Sequence, residues 1–130
     1  MKINLATIFL LLVVFIHPLC YSQNQKMDSL SIALKKAKED TSKVKILVAL
    51  CSEYRIIGEM DKAIQLGNEG LKLTRELNWK KGEAEILTNI GIVHWSQGNY
   101  SQALTNYSKA LRINEQIGDE AKIANLFVYS

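Results

Sequence analysis

The sequence predicts an all-α protein built as a stack of helical hairpins, and three observations lead to this prediction. Within two stretches of the chain, apolar residues recur at i, i+3, i+4 and i+7, which is helical spacing. No alternation typical of strands extends over a useful length, and the only proline, Pro18, precedes both stretches. The stretches read alike at a fixed offset, a period of about 40 residues that indicates stacked units. The matching residues are Leu47, Gly58, Ala63 and Leu71, which recur as Leu87, Gly98, Ala103 and Leu111.

Residues 1–22 have the pattern of a secretory signal peptide. Lys2 precedes an apolar run that ends at residue 16, and Cys20 and Ser22 fit the small-residue positions before a cleavage site. We therefore expect export, cleavage after Ser22 and a mature chain that is periplasmic or secreted. Two alternatives stay open at this point, an uncleaved signal that anchors the chain in a membrane and a lipid-modified Cys20.

The rest of the chain divides by the repeat. Residues 23–43 are predicted to form a polar lead from Gln23 to Met27 and a short capping helix, which falls outside the register of the repeat. Residues 44–83 and 84–123 are predicted to be the first and second units, and residues 124–130 the start of a truncated third unit. The predicted helices span about 27–39, 41–57, 60–77, 80–97 and 100–117, with a sixth that begins near residue 119.

Glycines and small residues divide each unit into two helices. Gly58 and Gly98 interrupt the helical pattern, and Asn99 with Gln102 predicts a variant of the capping box at the helix that follows. Gly118 is predicted to end the fifth helix. Small residues at the facing positions predict a close approach of the helices. These residues are Cys51, Gly67, Gly70, Gly91, Ala103 and Ala110.

The second unit resembles the tetratricopeptide repeat. The motif positions are held by Leu87, Ile90, Gly91, His94, Gly98, Tyr100, Ala103, Tyr107, Ala110 and Leu111. The first unit matches more weakly, because Cys51 replaces the motif glycine and Gly67 the aromatic residue. The resemblance covers about residues 44–127. It implies a right-handed superhelical stack of antiparallel hairpins that is incomplete at the C-terminus and binds a protein or peptide in a concave groove.

In this family the first helix of each hairpin lines the groove. Trp95 is the most informative groove position, because His94 takes the packing position beside it and exposed tryptophan is enriched in binding hot spots. Val48 and Ser52 hold two places at which the family's clamp for C-terminal carboxylates carries Lys and Asn. We therefore do not expect an adaptor for chaperone tails. Carried over position by position, the candidate binding residues are Lys45, Val48, Ser52, Arg55, Glu85, Thr88, Ile92 and Trp95.

Charge and composition argue against several other functions. Without Lys2, the chain carries 15 basic and 13 acidic side chains, a balance too near neutral for electrostatic binding of nucleic acid. After residue 22, His94 is the only histidine and Cys51 the only cysteine, too few for a metal site of the His/Cys type. Cys51 is predicted to pack in the hairpin interior as a small hydrophobe. We expect no catalytic residue, no metal and no cofactor in this segment.

Three hypotheses about function follow from the sequence. A signal peptide, a cap helix with Asp-Ser-Leu at residues 28–30 and repeats of this length are similar to the extracytoplasmic part of bacterial membrane-bound histidine kinases. This resemblance implies an interaction scaffold in a sensory region. The alternatives are a stand-alone secreted binding protein and a fragment of an enzyme with a downstream catalytic domain.

The apolar end of the sequence predicts one further contact. Leu126, Phe127 and Tyr129 have no partner helix within the sequence, so we expect weak self-association through them. We expect contact with a membrane only through an uncleaved signal or a segment further downstream.

Overall fold

Helices make up nearly all of the chain that the structure describes. The computed structural model describes residues 2–118, and the side chains of all of these except residues 15–21. No strand occurs within residues 2–118, and the predicted all-α stack is confirmed. The helices are α1 (Leu5–Lys36), α2 (Thr41–Ile56), α3 (Met60–Glu76), α4 (Lys80–Ser96) and α5 (Tyr100–Ile117).

Two consecutive helical hairpins, α2–α3 and α4–α5, form the repeat. The first residues of α4 and α5 follow those of α2 and α3 by the period that the sequence predicts, to within one residue. Gly58 and Gly98 lie in the turns inside the hairpins, with φ of 86° and 78°. A side chain would be strained in this conformation, which explains why a glycine stands at both turns. Gly118 ends α5, as predicted.

The small residues allow close approach of the helices, as the sequence predicts. A β-carbon at Gly91 would lie 2.5 Å from Cε1 of Tyr107, and one at Gly67 would lie 2.7 Å from Cγ1 of Ile90. Neither distance is possible for a real side chain. Gly91 therefore allows α4 and α5 to pack within one hairpin, whereas Gly67 allows α3 to pack on the first helix of the next hairpin.

The first helix differs from the prediction of a polar lead and a short cap. α1 is continuous from Leu5 to Lys36. No glycine or proline stands between residues 19 and 57, so no helix-breaking residue ends α1 before the turn that leads into α2. The end of α1 at Lys36 precedes the end of α3 at Glu76 by one full period of the repeat. The second half of α1 is therefore in the repeat register, not outside it, and holds the place of a second helix in a preceding unit.

The helix caps also differ from the prediction. Asn99 has φ −82° and ψ 62°, not the extended conformation of an N-cap, and its side chain makes no capping hydrogen bond. Its Nδ2 donates instead to Oε1 of Gln97 at 3.2 Å, so the predicted capping box with Gln102 is wrong. Asp40 caps α2: its backbone is extended, and its carboxylate accepts from the backbone amide of Ser42 at 2.8 Å.

Apolar side chains near the start of α1 are exposed, among them Leu5 at 83 % and Phe9 at 71 %. In the part of the chain that is described, none of the helices has the length and apolar character needed to cross a membrane. The predicted sixth helix, the third unit and the apolar residues Leu126, Phe127 and Tyr129 lie outside the described residues.

Candidate binding groove

The concave side of the stack is formed by α2 and α4. These two helices contact each other, whereas α3 and α5 make no mutual contact within residues 2–118. A stack whose first helices touch while its second helices are spread apart is curved, with the first helices on the inside. The predicted groove residues on α2 and α4 therefore lie on helices of the concave side.

Two of the four candidate residues on α2 face α4. Val48 packs against a buried apolar cluster shared by α2, α3 and α4. Ser52 is half-buried, and its hydroxyl donates to Oδ1 of Asn89 at 3.2 Å. Lys45 is exposed and Arg55 is half-buried, and neither forms an ion pair within the described residues.

The four candidates on α4 differ in how much surface they offer to a partner. Trp95 is 47 % exposed and offers a large side chain to solvent. Glu85 is half-buried, and Thr88 uses its hydroxyl to donate to the carbonyl oxygen of Ala84 at 2.9 Å. Ile92 packs against the core between α4 and α5. Much of the Ile92 side chain is thus directed to the core, which leaves Trp95 as the main apolar contact on α4.

The hydrogen bond between Ser52 and Asn89 sets the alignment of α2 with α4. Both helices run in the same direction, because each begins a hairpin, and both rise about 1.5 Å per residue. The same offset therefore applies along the groove and places Arg55 level with Ile92. Residues one full period apart are equivalent in the two units, whereas residues with the slightly shorter offset of Ser52 and Asn89 lie at the same height along the two helices.

Two residues of the groove, Asn89 and Tyr100, are not among the candidates predicted from the sequence. Asn89 accepts from Ser52 and donates one amide N–H to the carbonyl oxygen of Glu85 at 2.9 Å, which leaves its second N–H for another acceptor. Its signal in the sequence is that it is the only amide side chain between residues 84 and 95. Tyr100, which the sequence identified only as a motif position, is 55 % exposed, and its ring meets Trp95 edge-on with centroids 4.8 Å apart.

The buried carboxylates of the stack are already paired. Glu53 is 6 % exposed and forms an ion pair with Lys26 of α1. Glu83 is 7 % exposed and lies 2.9 Å from Nε of Arg75 and 3.0 Å from Nζ of Lys80. Burial raises the pKa of Glu83, but the hydrogen bonds from these two cations outweigh burial and hold it below its usual value. Among the candidate residues, the charges that have no ion-pair partner in the described part of the chain are those of Lys45, Arg55 and Glu85.

The one described thiol and the one described imidazole outside α1 belong to the packing of the hairpins. Cys51 is fully buried beside Ala63 and Val93, which confirms its predicted place in the core. Burial raises the pKa of this thiol to about 11, so it is protonated and a poor nucleophile at neutral pH. His94 has a buried Nδ1 without a hydrogen-bond partner in residues 2–118. Over the same residues, no three His, Cys, Asp or Glu side chains are grouped closely enough to hold a metal ion.

Comparison with known families shows which family these hairpins belong to. The model of the tetratricopeptide repeat matches residues 43–116, more than half of the chain and nearly all of α2 to α5. The matched hairpins are the two whose first helices form the groove. Among curated proteins, none matches this chain.

Proposed function

Because the chain belongs to the tetratricopeptide repeat family, whose repeats generally mediate protein–protein interactions, we propose that its groove binds an extended segment of a partner protein. The observation that carries this proposal is the exposure of Trp95 on the concave side. The hairpin fold does not need a tryptophan there, since Arg55 stands at the equivalent position of the first unit. A large exposed aromatic side chain in a groove is a typical hot spot for protein binding. In this function the segment binds and does not catalyse.

The proposal includes an exported location, in the sensory part of a longer signalling protein. Lys2 and the apolar run up to residue 16 support export. Cleavage after Ser22 would retain the half of α1 that continues the repeat register, including Lys26. A stand-alone secreted binding protein is the alternative. Coding sequence beyond residue 130 separates the cases: further repeats, a membrane span and a kinase core favour the signalling protein, and an immediate stop codon favours the alternative.

A matched pair of threonine substitutions tests the groove. Thr88 lies on α4, a helix of the groove, and Thr105 lies exposed on α5, a helix that does not form the groove. Each hydroxyl donates at 2.9 Å to a carbonyl oxygen four residues earlier, so both residues have the same local role in a helix. Substitution of either by Arg adds the same bulk and charge and removes the same hydrogen bond.

The measurement is the affinity of peptides selected on the purified chain from a random phage-displayed library. We expect Thr88→Arg to weaken the selected peptides about tenfold or more, because its side chain fills the groove. We expect Thr105→Arg to leave their affinity unchanged. Equal effects of the two variants, or no enriched peptide at all, would contradict binding in the groove.

A further inference from the structure

The groove carries an aromatic pair that the fold does not require. This pair lies where α4 ends, beside the turn that joins it to α5. Trp95 is 47 % and Tyr100 is 55 % exposed, and the planes of their rings meet at 66°. The equivalent residues of the first hairpin, one period earlier in the sequence, are Arg55 and Met60. The first hairpin makes the same turn with these residues. Packing of the hairpin therefore does not explain the aromatic pair.

Arg55, at the same end of the groove, is a cation that has no carboxylate partner within residues 2–118. It is half-buried, and Glu59, four residues further along the chain, does not form an ion pair with it. The α4 residue level with it, Ile92, is neutral, and so is Asn89, three residues earlier on the same helix. Glu85 lies seven residues before Ile92, about 10 Å further along the helix axis. The guanidinium can thus donate hydrogen bonds to a carboxylate of another molecule, whose two oxygens fit its planar fork of donors.

We propose that the acid-binding corner, formed by Arg55, Trp95 and Tyr100, recognises an Asp or Glu side chain close to an aromatic or large apolar side chain in the partner segment. The proposal rests on the function proposed above, because it names the chemistry of the segment bound in the same groove. Packed helices lie about 8–10 Å apart, and an extended chain advances about 3.3 Å per residue. The two side chains of the partner are therefore two or three residues apart.

The carboxylate comes from a side chain of the partner and not from its C-terminus. The groove continues past Arg55 in one direction to Ser52 and Asn89, and in the other to Trp95. A bound segment therefore extends to both sides of the carboxylate. One amide N–H of Asn89 donates to the carbonyl oxygen of Glu85. The second N–H has no acceptor within the described residues and would donate to a backbone carbonyl of the bound segment.

The sequences of the selected peptides give the first test. In a phage library whose peptides are fused to the coat protein at their C-termini, no peptide has a free C-terminus, so only side chains supply carboxylates. We expect the enriched peptides to carry Asp or Glu two or three residues from Phe, Trp, Tyr or Leu. Enrichment of peptides without an acidic residue would overturn the proposal.

Amidated synthetic copies of one enriched peptide, with Glu or with Gln at the acidic position, give the second test. We expect Arg55→Gln to weaken the Glu peptide about tenfold and to leave the Gln peptide unchanged, since only the former has a charge to lose. Trp95→Ala is expected to weaken both peptides. Arg112→Gln, an exposed arginine of α5, is the matched control and should affect neither. Circular dichroism of each variant reports whether the helices are retained, and Arg55→Lys, which keeps the charge, should restore part of the affinity.

The outcomes separate this proposal from the one before it. If Thr88→Arg blocks binding while Arg55→Gln and Trp95→Ala do not, the groove binds peptides and the acid-binding corner is wrong. Equal losses of the Glu and Gln peptides with Arg55→Gln also overturn the corner alone. If Thr88→Arg has no effect on the enriched peptides, both proposals fail.

Discussion

Lys26 of α1 forms an ion pair with Glu53 of α2, and this pair is the only one that α1 makes with the stack within the described residues. Glu53 is 6 % exposed, and the equivalent residue of the second unit is the fully buried Val93. The first unit therefore carries a carboxylate at a core position. A buried charge of this kind is tolerated only when a partner is present. The ion pair thus makes the first hairpin dependent on the second half of α1.

We expect Lys26→Met to destabilise the chain by about 1–3 kcal/mol, because it leaves the Glu53 carboxylate buried without its partner. The lower half of this range is the better expectation, since Lys26 is 62 % exposed and water compensates part of the loss. Urea denaturation of the chain measures the change. Glu53→Val introduces the residue of the second unit, and the double variant should recover most of the lost stability. If the double variant is as unstable as Lys26→Met, the buried carboxylate is not the cause.

The contact between Gly91 and Tyr107 gives a second prediction, and here two effects compete. Ala is favoured over Gly inside a helix by about 1 kcal/mol. However, the new β-carbon would lie 2.5 Å from a ring that is only 2 % exposed and cannot move aside. Overpacking of this kind costs about 1–3 kcal/mol, so we expect Gly91→Ala to lower the free energy of unfolding.

Ala103→Gly, at a motif position on the other helix of the same hairpin, provides the control for the Gly91 prediction. Ala103 is fully buried in the same hairpin, and Ala103→Gly removes a methyl group without any clash. Thermal melts of the two variants compare the cost of the clash that Gly91→Ala introduces with the cost of the methyl contacts that Ala103→Gly removes. A stabilised Gly91→Ala chain would show that α4 and α5 lie further apart than the structure has them.

The parts of the fold that the sequence predicted are those set by local spacing. Apolar periodicity and the two turn glycines, Gly58 and Gly98, were enough to place α2 to α5 within a few residues. The alignment of Ser52 with Asn89 was not predictable, because it depends on how one hairpin is rotated on the next. The pair of Lys26 and Glu53 escaped prediction for a similar reason: it joins two residues far apart in the sequence that only the stacked position of α1 brings together.

The sequence predicted which helices form the groove, but not which of the candidate residues are exposed in it. The family resemblance placed all eight candidates on α2 and α4, and these helices do form the concave side. The candidates then differ in exposure, because Val48 and Ile92 pack against core clusters whereas Trp95 is exposed to solvent. No local sequence pattern distinguishes a groove residue that packs against a neighbouring helix from one that is exposed to a partner. Tyr100 was not predicted as a groove residue for this reason, because the sequence showed only its place in the repeat motif.

The thiol of Cys51 gives a prediction about pH. Burial raises its pKa from 9.0 to about 11 in the folded chain. The folded state therefore holds this proton more tightly than the unfolded state does. The resulting stability is fully present below pH 9 and is lost as the pH rises from 9 to about 11, by an amount of the order of 2 kcal/mol.

The stability of wild-type chain and Cys51→Ala, compared across this pH range, isolates the thiol from the lysines and tyrosines that titrate in the same interval. We expect the difference in unfolding free energy between the two proteins to shrink above pH 9. We also expect alkylation of Cys51 by iodoacetamide at pH 8 to be slow in the folded chain and fast in urea. Rapid alkylation of the folded chain would mean that the thiol is not enclosed by α2, α3 and α4.

The last prediction joins export to the structure of α1. We expect the chain isolated from the producing cell to begin at Gln23, or within a residue or two of it, as mass spectrometry of the N-terminus would show. Cleavage there divides α1 inside a continuous helix and leaves Lys26 near the new N-terminus, where it still reaches Glu53. Cleavage beyond Lys26 would remove the cation and produce the instability expected for Lys26→Met. A chain that starts after Lys26 and is as stable as one that starts at Gln23 would contradict the role of this ion pair, and an intact Met1 in the cytoplasmic fraction would contradict export.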